Sequence, residues 1–230
     1  MTPALLDQVA GQVRPVALAG ERLLPVLPSL CSLLPEGGLR RGSVVAVGGS
    51  TSLALALAAG ASAIGSWCAA VGVARPPLGP RAASELGVVL ERFPLVAAAP
   101  GSGRGGWPWA VAALLEAVDV VLAWPPPHLR LADARRLAAR ARERGSVLLV
   151  AGGERWPEAV DVRLTLATST WEGVGEGHGR LLARRVEVVA TGRGAAARER
   201  RAALWLPAAG GGVAPAKTPP LRGNGARTAH

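Results

Sequence analysis

Lysine, tyrosine and phenylalanine are almost missing from this chain of 230 residues, which has one lysine (Lys217), one phenylalanine and no tyrosine. The shortage of aromatic side chains predicts a core of alanine, valine and leucine, which suits helices packed on a sheet. The shortage of lysine disfavours a phosphate-binding loop of the G-x4-G-K-S/T type, because the lysine of such a loop contacts the β- and γ-phosphates of the nucleotide.

Cysteine and acidic residues are also scarce. The two cysteines, Cys31 and Cys68, lie far apart in apolar stretches, which predicts reduced, buried thiols and no metal site. Asp and Glu number 16 against 26 Lys and Arg, so the net charge is +10. This charge favours an anionic partner such as nucleic acid or an acidic protein face, and a solvated arginine-rich surface is the alternative.

A run without charged residues extends from Gly42 to Ala74 and is long enough to span a bilayer. Two glycines and three hydroxyl residues interrupt it at 48–52, and the rest of the chain alternates strand and helix patterns. We therefore expect no membrane contact. The N-terminus lacks a basic region before an apolar one, so no signal peptide is expected. Together with the reduced thiols, this predicts a cytoplasmic protein.

The same run predicts the opening unit of a P-loop nucleotide-binding protein. Its predicted elements are a strand over residues 43–47, a glycine turn made of Gly48, Gly49, Ser50, Thr51 and Ser52, a helix over 53–63 and a strand over 67–73. Counting the motif from Gly48 places its G-K-T positions on Leu53, Ala54 and Leu55, and counting from Gly49 moves them one residue on. We therefore expect a degenerate loop that caps the helix, with weak anion binding through its backbone as the alternative.

Helices and strands alternate along the rest of the sequence. Helices are predicted over residues 3–13, 81–86, 107–117 and 131–144, and strands over 95–99, 118–123, 146–151, 160–167, 180–191 and 202–206. This alternation indicates an α/β protein with a mostly parallel sheet covered on both faces and antiparallel strands at one edge. The predicted division is an N-terminal helix and lead-in over 1–29, a core over 30–207 and a disordered basic tail over 208–230.

Arginines gather on the outer face of the predicted helix 131–144 and on the predicted strand 180–191. These candidate anion or protein-interaction surfaces contain Arg135, Arg136, Arg140, Arg142, Arg184 and Arg185. Five tryptophans lie near loops or helix ends: Trp107, Trp109, Trp124, Trp156 and Trp171. Exposed tryptophan is typical of protein interfaces and can stack on bases, whereas a role in the core or in anchoring a loop is the alternative.

Four segments, in order, resemble the core of the RecA recombinase family. Residues 34–49 (LPEGGLRRGSVVAVGG) are similar to the approach to its P-loop strand, and residues 71–88 (VGVARPPLGPRAASELGV) to its next block. Residues 118–122 (VDVVL) resemble the strand that carries the Mg²⁺-linked aspartate, and residues 146–151 the strand before the second DNA-binding loop. The resemblance covers roughly residues 30–207 and implies a RecA-like three-layer sandwich.

The chain departs from the RecA pattern wherever that pattern carries chemistry. The P-loop lysine is absent, and the acid that activates water falls on Arg75, which cannot act as a base. The acid at the end of the fourth strand falls on Trp124, which cannot hold Mg²⁺. The segments after Trp124 and Ala151 are also short for the DNA-binding loops of the family. The resemblance therefore implies no catalytic residue, no cofactor and no metal.

A RecA-like chain without these residues is similar to the actinobacterial ImuA-type accessory proteins. That resemblance implies a non-catalytic adaptor in DNA-damage-induced mutagenesis, as part of the SOS response. Its implied partner is ImuB, an inactive Y-family polymerase homologue that acts with an error-prone polymerase of the replicative type in translesion synthesis. Direct contact with DNA stays open. The alternatives are a stand-alone DNA-binding protein and a cell-division inhibitor of the SulA type.

Overall fold

The computed structural model describes residues 22–72, 78–98, 106–174 and 179–217. The strands in these ranges are β1 (Leu23–Pro25), β2 (Gly38–Arg40), β3 (Val44–Gly48), β4 (Cys68–Val71), β5 (Leu95–Val96), β6 (Val120–Ala123), β7 (Val147–Ala151), β8 (Val162–Val174), β9 (Gly179–Gly192), β10 (Arg200–Trp205) and β11 (Ala214–Pro215). The helices are α1 (Thr51–Ala63), α2 (Pro80–Glu85), α3 (Trp107–Ala117) and α4 (Leu131–Arg144).

Nine of the described strands form one mixed sheet in the order β11-β10-β9-β8-β3-β7-β6-β4-β5. The six strands from β8 to β5 in this order run parallel to one another. β9, β10 and β11 continue the sheet antiparallel beyond β8. The predicted α/β class and the antiparallel strands at one edge are therefore confirmed.

Successive side chains of the central strand β3 point into two different cores, because strand side chains alternate between the faces of a sheet. Val45 and Val47 pack in the core that includes α1 and α2. Val44 and Ala46 pack in the core that includes α3 and α4. Helices thus cover both faces, and β3 lies between two parallel neighbours, β7 and β8.

The helix α1 has no polar side, since every residue from Leu53 to Ser62 is buried. A helix that is apolar all round belongs in an interior. The chain around β1 crosses it closely, because a Cβ added at Gly60 would lie 2.5 Å from the Cα atom of Val26. β1 pairs only with β2 among the described strands, so this two-stranded unit covers the outer side of α1.

The amphipathic helix α4 has the predicted bounds. Its buried stripe is Ala134, Leu137, Ala138 and Ala141, together with Asp133. Gly145 ends the helix in the left-handed conformation, with a φ of 65°, and its N–H donates to the carbonyl oxygen of Ala141. Glycine adopts this conformation without the steric cost that a side chain would add.

Several predicted boundaries differ from the structure. β8 extends to Val174 rather than ending at 167, and it forms a long antiparallel pair with β9 that was not predicted. β11 lies inside the segment predicted as a disordered tail and pairs with β10. The predicted helix 3–13 and residues 218–230 lie outside the described residues, as does Arg75.

The uncharged run 42–74 is divided among β3, α1 and β4. Within the described ranges, no helix combines the length and the apolar character that crossing a membrane requires.

Candidate functional site

The glycine turn lies at the carboxyl end of β3, in the middle of the sheet. Open α/β sheets bind their ligands at this edge. Gly49 has a φ of 70°, which is favourable for glycine alone. The hydroxyl oxygen of Ser50 accepts a hydrogen bond from the N–H of Leu53 at 3.1 Å. Ser50 is therefore the N-cap of α1, as the hydroxyl residues after the glycines predict.

The positions where a phosphate-binding loop has its lysine and its hydroxyl are part of the core. The exposed fractions of Leu53 and Ala54 are 0%, and that of Leu55 is 2%. Thr51 is exposed and Ser52 is half-buried, so the accessible side chains at the start of α1 carry hydroxyl groups. The N–H of Ala54 already donates to the carbonyl oxygen of Ser50 at 3.3 Å. The N–H groups of Leu53 and Ala54 are thus already bonded, and the turn offers no cationic side chain to an anion.

Trp124 lies directly after β6, at the same edge of the sheet. It is half-buried and packs against the core that contains α1. Its backbone N–H donates to the carbonyl oxygen of Val71 at 3.0 Å. The position that the RecA resemblance aligns with a metal-binding acid is thus filled by an indole ring in contact with apolar side chains.

The arginines of α4 are largely paired with carboxylates. Arg135 lies 2.6 Å from Glu158, and Arg136 pairs with Asp133 one turn earlier. Arg140 lies 2.6 Å from Glu116 of α3. The N–H of Ala159, and then Arg135, lower the pKa of Glu158. The predicted cationic face is therefore an ion-pair network that links α4 to α3 and to the chain before β8.

The two arginines of β9 have different surroundings. Arg184 lies opposite Trp171 of β8, with its guanidinium carbon 5.8 Å from the ring centroid. Its Nε also donates to the hydroxyl of Ser169 at 2.8 Å. Arg185 donates to the carbonyl oxygen of Lys217 at 2.9 Å. Arg184 is thus part of an exposed surface with an aromatic ring, whereas Arg185 holds the chain after β11.

The five tryptophans divide between core and surface. Trp107 and Trp156 are buried, at 2% and 4% exposure. Trp109 and Trp171 are exposed, at 42% and 45%, and Trp124 is intermediate. Trp171 is distinct because two other exposed apolar residues, Leu181 and Leu182, lie on the neighbouring strand β9. The exposure of these leucines was not predicted, although two leucines beside arginines in a predicted edge strand indicate an apolar surface.

A second polar cluster lies at the opposite edge of the sheet, around the amino ends of β3 and β8. It borders a cleft of about 250 Å³ lined by Arg40, Ser43, Asp161 and Arg193 among others. Asp161 accepts a hydrogen bond from the N–H of Val44 at 2.9 Å and lies 3.9 Å from Arg193. These contacts tie the starts of two strands together. Sequence reasoning did not find the cluster because its members are far apart along the chain.

Arg41 and Asp119 form another ion pair at this amino edge, with a distance of 2.8 Å. Arg41 precedes β3 and Asp119 precedes β6, so the pair joins the starts of two strands. Both side chains are about one-fifth exposed. Nearby, burial and then the negative charge of Asp119 raise the pKa of the Cys68 thiol to about 12. This predicts a protonated, unreactive thiol at neutral pH.

Residues 32–158 match the family model of the MT3502 N-terminal domain. The chain belongs to this family. A similar relative is the uncharacterized protein Rv3395c of Mycobacterium tuberculosis, which is 34% identical over 170 residues. That match covers 72% of this chain and 79% of the relative. The family match contains the glycine turn, α1 and Trp124, and it ends before the β8–β9 hairpin.

Proposed function

We propose that this chain is a non-catalytic adaptor of the ImuA type with a RecA-like core, acting in DNA-damage-induced mutagenesis. Its partner in this proposal is an ImuB-type Y-family polymerase homologue, in a complex with an error-prone polymerase of the replicative type. The observation that carries the proposal is the burial of Leu53, Ala54 and Leu55 directly behind the glycine turn.

The RecA-like part of the proposal is supported by the arrangement around β3. A central parallel strand, a glycine turn and a helix follow one another, helices cover both faces, and antiparallel strands extend one edge. The resemblance of residues 30–207 to RecA leads to the same arrangement. A mixed α/β sheet alone hosts many functions, so the proposal depends on the residues at the turn.

The non-catalytic part is supported by the physical cost of the missing chemistry. A lysine at 54 or 55 would have to bury an ammonium group among apolar side chains, which costs far more free energy than burying alanine or leucine. The turn therefore keeps the packing of the helix and lacks the groups that hold phosphates. An adaptor acts through the surface that binds its partner, so it does not need these phosphate-binding groups.

A stand-alone DNA-binding role has weaker support than the net charge suggested. DNA binding by arginines requires cations that are free to neutralise phosphates. Three of the four arginines predicted for that purpose on α4 are paired with carboxylates. An adaptor that acts through a protein partner does not need that surface to be free.

The proposal is tested by co-expressing this chain with the ImuB-type homologue encoded in the same genome and by deleting its gene. We expect the two proteins to co-purify and the deletion strain to lose most ultraviolet-induced mutation. A gene with Thr51→Ala and Ser52→Ala should restore mutation as well as the wild-type gene, because the turn has no chemical role. Unchanged mutation in the deletion strain would overturn the proposal.

A further inference from the structure

The outer half of the β8–β9 hairpin stands beyond the rest of the sheet. The pairing of β3 with β8 ends where Gly48 lies opposite Thr165. β10 pairs with β9 as far towards the hairpin end as Arg185, and the chain directly after β10 bonds the backbone of Arg184. The remaining part, residues 168–173 of β8 and 179–184 of β9, is here named the ribbon. It is a two-stranded segment at the carboxyl edge of the sheet, beside the glycine turn.

One side of the ribbon is a free strand edge. After Thr165, β8 pairs with β9 alone among the described strands. The edge sequence 165–171 (TLATSTW) contains no charge and no proline. Proteins usually protect exposed edges with such residues, because unpaired backbone groups accept strands from other chains. The protection that β8 carries is two register shifts, one between Leu166 and Thr168 and one between Glu172 and Val174, together with the charge of Glu172.

The ribbon also exposes three large apolar side chains. Trp171, Leu181 and Leu182 are 45%, 53% and 48% exposed. Leu182 is two residues from Arg184, and Trp171 lies opposite Arg184, so Trp171 and Leu182 share one face, whereas Leu181 belongs to the other. Clustered exposed apolar residues mark interaction sites, whereas scattered ones need no explanation.

We propose that the ribbon binds an extended segment of a partner protein, which adds to the free edge of β8 as a further strand. Main-chain hydrogen bonds supply affinity in this mode, and alternate side chains supply specificity. The ribbon contains two arginines, Arg180 and Arg184, and one acidic residue, Glu172. The whole chain has a net charge of +10. The complementary segment alternates apolar and acidic residues. This inference goes beyond the proposed function, because it rests on the ribbon alone.

The charges favour this occupant over a second copy of the chain. Two copies of a chain that has a net charge of +10 repel each other, whereas an acidic segment is attracted. Nucleic acid fits less well. Bases stack on aromatic rings, and two of the three exposed apolar residues of the ribbon are leucines.

The test selects random short peptides on the immobilised full chain, with a Trp171→Ala/Leu182→Ser variant used for counter-selection. We expect enriched peptides that alternate acidic and apolar residues. Trp171→Ala should weaken their binding about ten-fold or more, as loss of a central aromatic anchor does. Arg184→Glu should also weaken it. Trp109→Ala is the matched control, because Trp109 is as exposed as Trp171 but lies on α3, and it should leave the affinity unchanged.

Hydrogen exchange supplies the second readout, and thermal melting checks that each variant is folded. Peptide binding should slow the exchange of backbone amides in 166–173, as strand addition requires. The inference is overturned if no peptide depends on Trp171, or if bound peptides leave this exchange unchanged. It is also overturned if Trp171 is needed instead for binding oligo(dT) or for a dimer seen in sedimentation.

Discussion

At the scale of single residues, Gly60 allows α1 to lie under the chain at β1. A Cβ at this position would lie 2.5 Å from backbone atoms of Val26, which cannot rotate away as a side chain can. Gly60→Ala adds helix propensity worth about 1 kcal/mol. The overlap of the added Cβ with Val26 outweighs this gain. Overpacking a core costs about 1–3 kcal/mol, and backbone atoms move aside less readily than side chains.

We therefore expect Gly60→Ala to lower the free energy of unfolding, by about 1 kcal/mol or more, as measured by urea denaturation. Gly210→Ala is the control. The φ of Gly210 lies outside the left-handed region, and no atom lies within 4 Å of its added Cβ. That variant should change the stability by less than about 0.5 kcal/mol. Equal stability of the two variants would contradict the observed packing of α1 against β1.

Cys68 gives a second prediction at this scale, because burial raises its pKa to about 12. The thiolate is the reactive species, so iodoacetamide at pH 8 should modify Cys68 only when the chain unfolds. The folded state holds the proton that the unfolded state releases near pH 9. Stability should therefore fall as the pH rises from about 9 towards 12.

Cys68→Ala should remove this component of the pH dependence, as measured by denaturation at several pH values. Mass spectrometry measures the rate at which Cys68 is modified. Rapid modification in the native protein would contradict the burial of this thiol.

At the scale of elements, the ion pair of Arg41 and Asp119 joins the starts of β3 and β6. Partly buried pairs contribute more than exposed ones, since water screens them less. A double-mutant cycle with Arg41→Met and Asp119→Asn should give a coupling energy of about 1–2 kcal/mol. The exposed pair Arg81–Glu85, also 2.8 Å apart, is the control and should give less than about 0.5 kcal/mol. Similar coupling energies for the two pairs would show that burial does not strengthen the Arg41–Asp119 pair.

The helices were the elements that sequence reasoning located best. The bounds of α3 and α4 agree with their predictions, because apolar periodicity and Gly145 are local signals. α1 begins two residues before the predicted start, since Ser50 rather than a later residue caps it. β8 was predicted too short. Apolar alternation stops near 167, but hydrogen bonds to β9 continue the strand with polar residues.

At the scale of the whole molecule, the apolar core behind the glycine turn predicts weak nucleotide binding. A dissociation constant of about 10 μM would stabilise the fold by about 2.7 kcal/mol at about 1 mM ligand. Such a gain raises the melting temperature by several degrees. We expect 1 mM MgATP to raise it by less than about 1 °C, compared with sodium chloride of equal ionic strength. A larger rise that Gly49→Val abolishes would contradict this prediction.

The sequence alone determined the α/β class, the helix positions and the loss of phosphate-binding side chains. These features depend on residue type and on spacing over a few turns of chain. Tertiary structure alone decided which arginines have carboxylate partners, because Glu116 and Glu158 meet α4 only after folding. It also decided where the pairing of β8 with β3 ends, beyond which β8 has β9 as its one partner among the described strands. Contacts between distant segments are set by packing, which no local pattern encodes.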